Sequence, residues 1–205
     1  TLVAELQKKF KSAKNVEIIH EDILRWWPQQ NLNIEIFKHL KIVANIPYRI
    51  TAPILRLFLE HELHPNLLVL MVQKEVAERV CAKPGAMSLL SVSVQYYATP
   101  EIVRIVPRTA FNPAPKVDSA ILKIITFKRH DYPEMSDRTK IDNVFFRLVK
   151  MGFSSRRKQL QNLLATGLRM TNEEAKKALL AIGLSPTVRA QELSIADWKK
   201  LIEYF

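Results

Sequence analysis

The residues best placed to do chemistry are Asn45 and Tyr48, which flank Ile46-Pro47. They follow an apolar run that starts at Lys41 and ends at Ala44. Pro47 fixes its own φ and biases Ile46 away from the helical region. Asn45 and Tyr48 are therefore expected just past the carboxyl end of a buried strand, where open α/β sheets hold their ligands. An amide oxygen, neighbouring backbone carbonyls and a ring face suit a planar base that bears an exocyclic amine. The bland alternative is an ordinary strand-to-helix turn.

Other candidates are weaker. Asp22 follows the apolar stretch Val16–His20, and taken alone it suits a helix cap or turn. Glu75 and Arg79 stand at helical spacing and suit a structural ion pair. His20, His39, His61, His64 and His130 show no ligand spacing, so no metal site is expected. One cysteine, Cys81, excludes an intrachain disulfide and fits a reducing compartment.

These residues need a scaffold. A helix is expected from Thr1 to Lys14, with Leu2, Val3, Leu6 and Phe10 on one face, and a short strand over Val16–His20. Trp26, Trp27 and Pro28 suggest a surface loop, and a short helix is expected around 34–40. Lys41–Ala44 reads as a buried strand. The helix Ala52–Leu63 follows, capped by Thr51 with Pro53 in its first turn. Leu67–Val72 reads as a strand and Lys74–Cys81 as a helix, closed by the turn Lys83-Pro84-Gly85. Ser88–Tyr97 suits a helix, although Val92, Val94 and Tyr96 also permit a strand. Glu101–Val106 and Asp118–Lys128 alternate as strands that pair antiparallel, joined through a stiff loop at Phe111-Asn112-Pro113-Ala114-Pro115.

Strands alternating with helices imply an α/β layered domain over 1–128. Residues 129–137 read as a linker, and 138–205 as a small helical domain. Its helices are Ile141–Gly152, Ser155–Ala165, Asn172–Ile182 and Ser194–Tyr204. Thr171 with Glu174 has capping-box spacing, Gly183 stops that helix, and Ser194 caps the last one with Asp197 three residues on.

The 205 residues are 48% hydrophobic and 25% charged, as in a soluble globular protein, and carry a net charge of +11. Such an excess favours a polyanionic partner, with nucleic acid ahead of a membrane. No run is apolar and long enough to span a bilayer. Between Arg138 and Lys177 stand ten basic residues and three acidic ones, which is seven of the eleven excess charges. Arg156-Arg157-Lys158 is the sharpest point of this basic face, expected on a helix. The alternative is a solvated helix face.

In this order the pieces resemble the ribosomal RNA adenine dimethyltransferases, specifically the small-subunit (KsgA) branch. The matching stretches are Asn45-Ile46-Pro47-Tyr48 with Ile50-Thr51-Ala52-Pro53, the run Met71 to Arg79, Ser91 to Tyr97, Val106 to Ala120, and Phe153 to Leu160. Together they cover most of the chain. The resemblance implies a Rossmann-like methyltransferase sheet followed by an all-helical domain. It also implies transfer of methyls from S-adenosylmethionine to adenine N6, twice on each of two adjacent adenosines in small-subunit ribosomal RNA. Asn45 and the backbone carbonyl of Ile46 or Pro47 would accept the N6 protons, and Tyr48 and Phe111 would hold the extruded base. Asp22, with Ile23 beside it, and Asn45 would contact the cofactor. Arg108, Lys116, Arg147, Arg156, Arg157 and Lys158 would contact RNA. The implied protein is a cytoplasmic monomer that works on the assembling small subunit.

One part of the family pattern is not found. The four glycines, Gly85, Gly152, Gly167 and Gly183, form no glycine-rich loop after a strand, and the acid for the cofactor ribose is lacking. Both are expected upstream of Thr1, in a longer enzyme. The competing readings are a non-catalytic ribosomal-RNA-binding assembly factor and a large-subunit adenine methylase.

Overall fold

The computed structural model describes residues 1–29, 39–60, 65–127 and 135–205, with 135–139 described by backbone alone. They belong to two compact units, Thr1–Asn33 and Ile34–Phe205.

In the first unit, α1 spans Leu2–Lys9 and stops short of the expected Lys14. None of its residues is buried, Val3 and Leu6 being only half-buried, and isolated helices of this length are marginal. Val16–His20 forms no strand, contrary to expectation. A strand needs a hydrogen-bonded neighbour, and no described strand pairs with it. Asp22 caps α2 (Ile23–Trp26) by accepting the Leu24 N–H at 2.9 Å. Trp26 closes that helix and Trp27 opens a 3₁₀ turn, Trp27–Gln29. Trp27 is buried rather than part of a surface loop, its ring 6.5 Å from that of Trp26.

The second unit is built on a four-stranded sheet ordered β1-β2-β4-β3. The strands are β1 (Lys41–Asn45), β2 (Leu67–Gln73), β3 (Ala98–Val106) and β4 (Ser119–Thr126). β1 and β2 run parallel, and β4 runs antiparallel to both β2 and β3. The carboxyl ends of β1, β2 and β3 and the amino end of β4 therefore share one edge of the layer. β3 bulges between Ile102 and Arg104, which turns Val103 out to solvent.

The strand β1 was expected to be buried, yet Val43 is 78% exposed. It lies at the rim of the described sheet with a neighbour on one side only. The central strands differ. Leu68, Leu70, Val72, Ala120, Leu122 and Ile124 are fully buried on one face, each large side chain contributing roughly 1.5–3 kcal/mol. The covering layer is α3 (Thr51–Leu59), α4 (Lys74–Val80) and α5 (Leu89–Tyr97). Leu89–Tyr97 is helical, which resolves the helix-or-strand alternative. Ser88 caps it reciprocally with Ser91. Thr51 is not the cap of α3; it is the first helical residue, and its hydroxyl donates back to the Tyr48 carbonyl at 3.0 Å. The ion pair on α4 is Lys74–Glu78 at 3.9 Å, one position before the expected Glu75–Arg79.

Four helices complete the unit: α6 (Met135–Gly152), α7 (Leu160–Leu168), α8 (Asn172–Ala181) and α9 (Ile195–Tyr204). α6 begins at Met135, earlier than the expected Ile141. Of the helix expected around 34–40, residues 34–38 lie outside the described residues and 39–40 are not helical; of the expected linker 129–137, residues 129–134 lie outside them and 135–137 already belong to α6. Buried side chains recur at helical spacing, as in Phe145-Leu148-Val149 and Leu160-Leu163-Leu164. The helices approach closely at Gly152, where a Cβ would lie 2.5 Å from the Trp198 ring. Thr171 and Glu174 form the expected capping box, and Gly183 turns the chain out of α8 at φ +82°.

Candidate active site and RNA interface

Asn45 closes β1 in register with Met71 of β2. Its side chain is exposed at the carboxyl edge of the sheet, while Ile46 points into the core. Pro47, at φ −59° and ψ 129°, turns the chain out of the strand. A 3₁₀ turn, Tyr48–Ile50, leads straight into α3. The Ile50 N–H donates to the Pro47 carbonyl at 3.0 Å. No backbone N–H among the described residues donates to the Ile46 carbonyl. Of the two carbonyls left open by the sequence, that of Ile46 is the freer to accept a ligand proton.

Tyr48 is fixed from across the sheet. Its hydroxyl lies 2.7 Å from Ser119 Oγ, at the buried start of β4. Register explains the reach, because Ser119 pairs with Gln73 at the end of β2 and with Val106 at the end of β3. Ser119 has no role in the sequence reading. Its signal is a small hydroxyl opening a mostly apolar strand, a place where a buried polar group needs a partner.

The loop between β3 and β4 is tied at its base. The Arg108 N–H donates to Asp118 Oδ1 at 2.9 Å, and the Lys74 N–H to the Asp118 carbonyl at 3.0 Å. Phe111 leaves the 3₁₀ turn Arg108–Ala110 in extended conformation, half-buried, ahead of a cis Asn112-Pro113 bond. The Phe111 ring and the Tyr48 ring make no contact with each other among the described ring pairs, so neither covers the other's face. Lys116 is exposed further along this loop.

The candidate cofactor residues are divided between the units. Asp22 and Ile23 belong to the first, Asn45 to the second. Asp22 is exposed at a helix cap, with one carboxylate oxygen engaged by Leu24. Among the described residues, no glycine-rich turn follows a strand and no acid closes one. The Asp22 carboxylate in the first unit and the Asn45 amide in the second are each exposed and able to accept from an amine, whereas no described residue supplies the glycine-rich turn or the acid that the methionine and ribose ends of S-adenosylmethionine need.

Arg156-Arg157-Lys158 is not helical. The residues form an exposed turn between α6 and α7, and α7 starts only at Leu160. Ser154 anchors the turn through its hydroxyl to the Met151 carbonyl at 2.7 Å. Lys158, Lys150 and Arg147 line one open groove between α6 and α7. Arg156 and the same Lys150 line a second cleft, toward the sheet.

The family described as ribosomal RNA adenine dimethylase matches residues 1–205. The ribosomal RNA small subunit methyltransferase A of Dehalococcoides mccartyi strain CBDB1 is 43% identical over 99% of this chain and 68% of its own length. That of Streptococcus pneumoniae strain CGSP14 is 42% identical over 98% of this chain and 70% of its own. Among solved structures, a dimethyladenosine transferase from Plasmodium falciparum superposes with a TM-score of 0.74 at 25% identity, over 98% of this chain and 76% of that one. The 23S rRNA methyltransferase ErmE does so with a TM-score of 0.74 at 24% identity, over 99% and 77%. At that identity ErmE speaks for the shared Rossmann-like fold alone. The match along the whole chain, on such a sheet, makes this protein a member of the ribosomal RNA adenine dimethylase family.

Proposed function

We propose that the protein dimethylates N6 of two adjacent adenosines in small-subunit ribosomal RNA, using S-adenosylmethionine. The observation that carries this is the Asn45–Tyr48 turn. It is open at the sheet edge, with the Tyr48 hydroxyl pinned to Ser119. When bound, S-adenosylmethionine supplies a methyl on a sulfonium, which is electrophilic enough to need no activation by the protein.

The nucleophile is the difficulty. The N6 lone pair is delocalised into the purine ring. The Asn45 side-chain oxygen and the Ile46 carbonyl accept the two N6 protons, with Pro47 holding their spacing. That draws the nitrogen out of conjugation and aims its lone pair. The lone pair so aimed would take the methyl that the sulfonium supplies, and the surplus N6 proton would leave afterwards to water. No strong base is required, so positioning and electrostatics carry the rate. Tyr48 and Phe111 stack on the two faces of the extruded adenine. Asp22 and Ile23 hold the cofactor's adenine.

Residues 1–128 carry this chemistry and 138–205 the RNA contacts, through Arg147, Arg156, Arg157 and Lys158, with Arg108 and Lys116 contributing from the catalytic side. The substrate is the assembling small-subunit particle, and the protein acts on it as a cytoplasmic monomer. The small-subunit reading is preferred to the large-subunit one because the relatives above 40% identity bear the small-subunit name. Primer extension across both ribosomal RNAs tests the choice. Stops at two adjacent small-subunit adenosines that depend on this protein support it; stops in the large-subunit RNA contradict it.

A further inference from the structure

Between the catalytic layer and the helices lies a cleft of about 430 Å³, within the range of small-ligand sites. One wall is Glu75 and Arg79 of α4 with Met87. The other is Lys150, Phe153 and Arg156 around the end of α6. Lys150 and Arg156 face Glu75 and Arg79, and all four charged residues are exposed. Phe153 is half-buried, its ring 6.1 Å from that of Trp198. The loop under the cleft is held by its backbone, Gly85 and Met87 donating to the Gln191 carbonyl at 2.9 and 3.2 Å. The walls are therefore supported before any ligand arrives.

We infer that this cleft binds one unpaired nucleotide of the RNA, at a subsite separate from the Asn45–Tyr48 turn. The inference deepens the proposed function and rests on its RNA substrate. A duplex is too wide and convex to enter, whereas a single nucleotide presents the matching chemistry. Its flanking phosphates meet Arg79, Lys150 and Arg156. Its base has the half-buried Phe153 ring to lie against, which is the ordinary way unpaired bases are held. Glu75 is the selective element. A carboxylate accepts from an exocyclic amine, so the subsite takes cytosine or adenine in preference to uracil, which has none. Lys150 also lines the groove that contains Arg147 and Lys158. The strand leaving the cleft thus passes over the 154–158 turn into that groove.

The test is fluorescence anisotropy of the full chain with labelled oligocytidine and oligouridine of equal length. The parent should bind oligocytidine more tightly, and Glu75→Ala should bring the ratio to one. Ala86→Trp, which fills the cleft from its exposed rim, should weaken oligocytidine binding about tenfold, the worth of a stacked base. Ala86→Glu, which sets a second carboxylate among the cations, guards against a misfolded tryptophan variant; circular dichroism checks both. If folded Ala86→Trp or Ala86→Glu binds both oligonucleotides as the parent does, the subsite is overturned. It is equally overturned if Glu75→Ala keeps the parent ratio. Methyl transfer to small-subunit RNA is scored separately. Its absence in a parent that still discriminates the two oligonucleotides defeats the proposed function and leaves the cleft standing.

Discussion

Ser119 shows how much of a site depends on a residue with no chemistry of its own. In the proposed site the Tyr48 ring would meet a base at a fixed angle. Its hydroxyl is held at 2.7 Å by a strand that is second from its own in the sheet. Removing that anchor with Ser119→Ala should lower kcat about tenfold with little change in KM for RNA, because misplacement costs rate more than binding. Ser119→Thr keeps the hydroxyl and should recover most of the loss. A fall in KM affinity matched by unchanged kcat would show that Ser119 acts on binding instead. The Asn45–Tyr48 turn itself was legible in sequence because Pro47 constrains two residues at once. Ser119 was not, because its partner is 71 positions away and only strand register brings the two together.

At the scale of elements, the basic segment changes character. A helix would present Arg156, Arg157 and Lys158 in different directions around its axis. The exposed turn lets Arg156 line one cleft and Lys158 the other. Arg156→Ala with Arg157→Ala should weaken RNA binding and reduce the slope of log affinity against log salt by about 2. An unchanged slope would remove the turn from the interface. The two helices joined by this turn are packed tightly at Gly152. Gly152→Ala adds a Cβ 2.5 Å from Trp198 and 3.1 Å from Leu160. Overpacking of a core costs about 1–3 kcal/mol, against a gain in helix propensity of about 1 kcal/mol. A net loss of about 1 kcal/mol is expected, read as a lower urea midpoint with unchanged m. Most element types were readable from apolar period and caps. Thr171 with Glu174 and Ser194 with Asp197 were found outright, because capping is a local code. The failures, α1 beyond Lys9 and the strand at Val16–His20, are segments whose pattern was amphipathic but which acquire no partner among the described residues. The burial of β1 was expected from its apolar run, but the run stands at the rim of the described sheet, the unpaired edge implied by a family strand not found in the sequence.

At the scale of the whole molecule, the sheet layer and the helices are joined through Asp142. Its two carboxylate oxygens accept the hydroxyls of Tyr96 and Tyr97, at 2.8 and 3.1 Å. The rings of both tyrosines pack against Phe146. Burial, and then the charge of Asp142, push the Tyr97 phenol far above its ordinary value. In the unfolded chain Tyr97 loses its proton near pH 10 (about the model-peptide value). Above that pH the folded state retains a proton that the unfolded state has lost, so stability falls as pH rises, by up to about 1.4 kcal/mol per unit. Tyr97→Phe should flatten that alkaline fall between about pH 10 and 11. A parent whose urea midpoint is level across this window would show that Tyr97 is not shifted. The charge of +11 belongs to the same scale. Its concentration between Arg138 and Lys177 was visible without a structure, but its division into two clefts that share Lys150 required the fold.

Asn45 carries the central claim, and one measurement reaches it directly. Methyl groups transferred to small-subunit particles that lack dimethyladenosine are counted by mass spectrometry of the RNA, for the parent protein and for Asn45→Ala, alongside the affinity of each for the particle. The expected result is two dimethylated adjacent adenosines with the parent. The variant should lose at least about a hundredfold in rate, the scale of removing one electrostatic contact from a transition state, with affinity nearly unchanged. Transfer by Asn45→Ala at the parent rate would mean that N6 is oriented elsewhere, and that the turn ending β1 is only a turn.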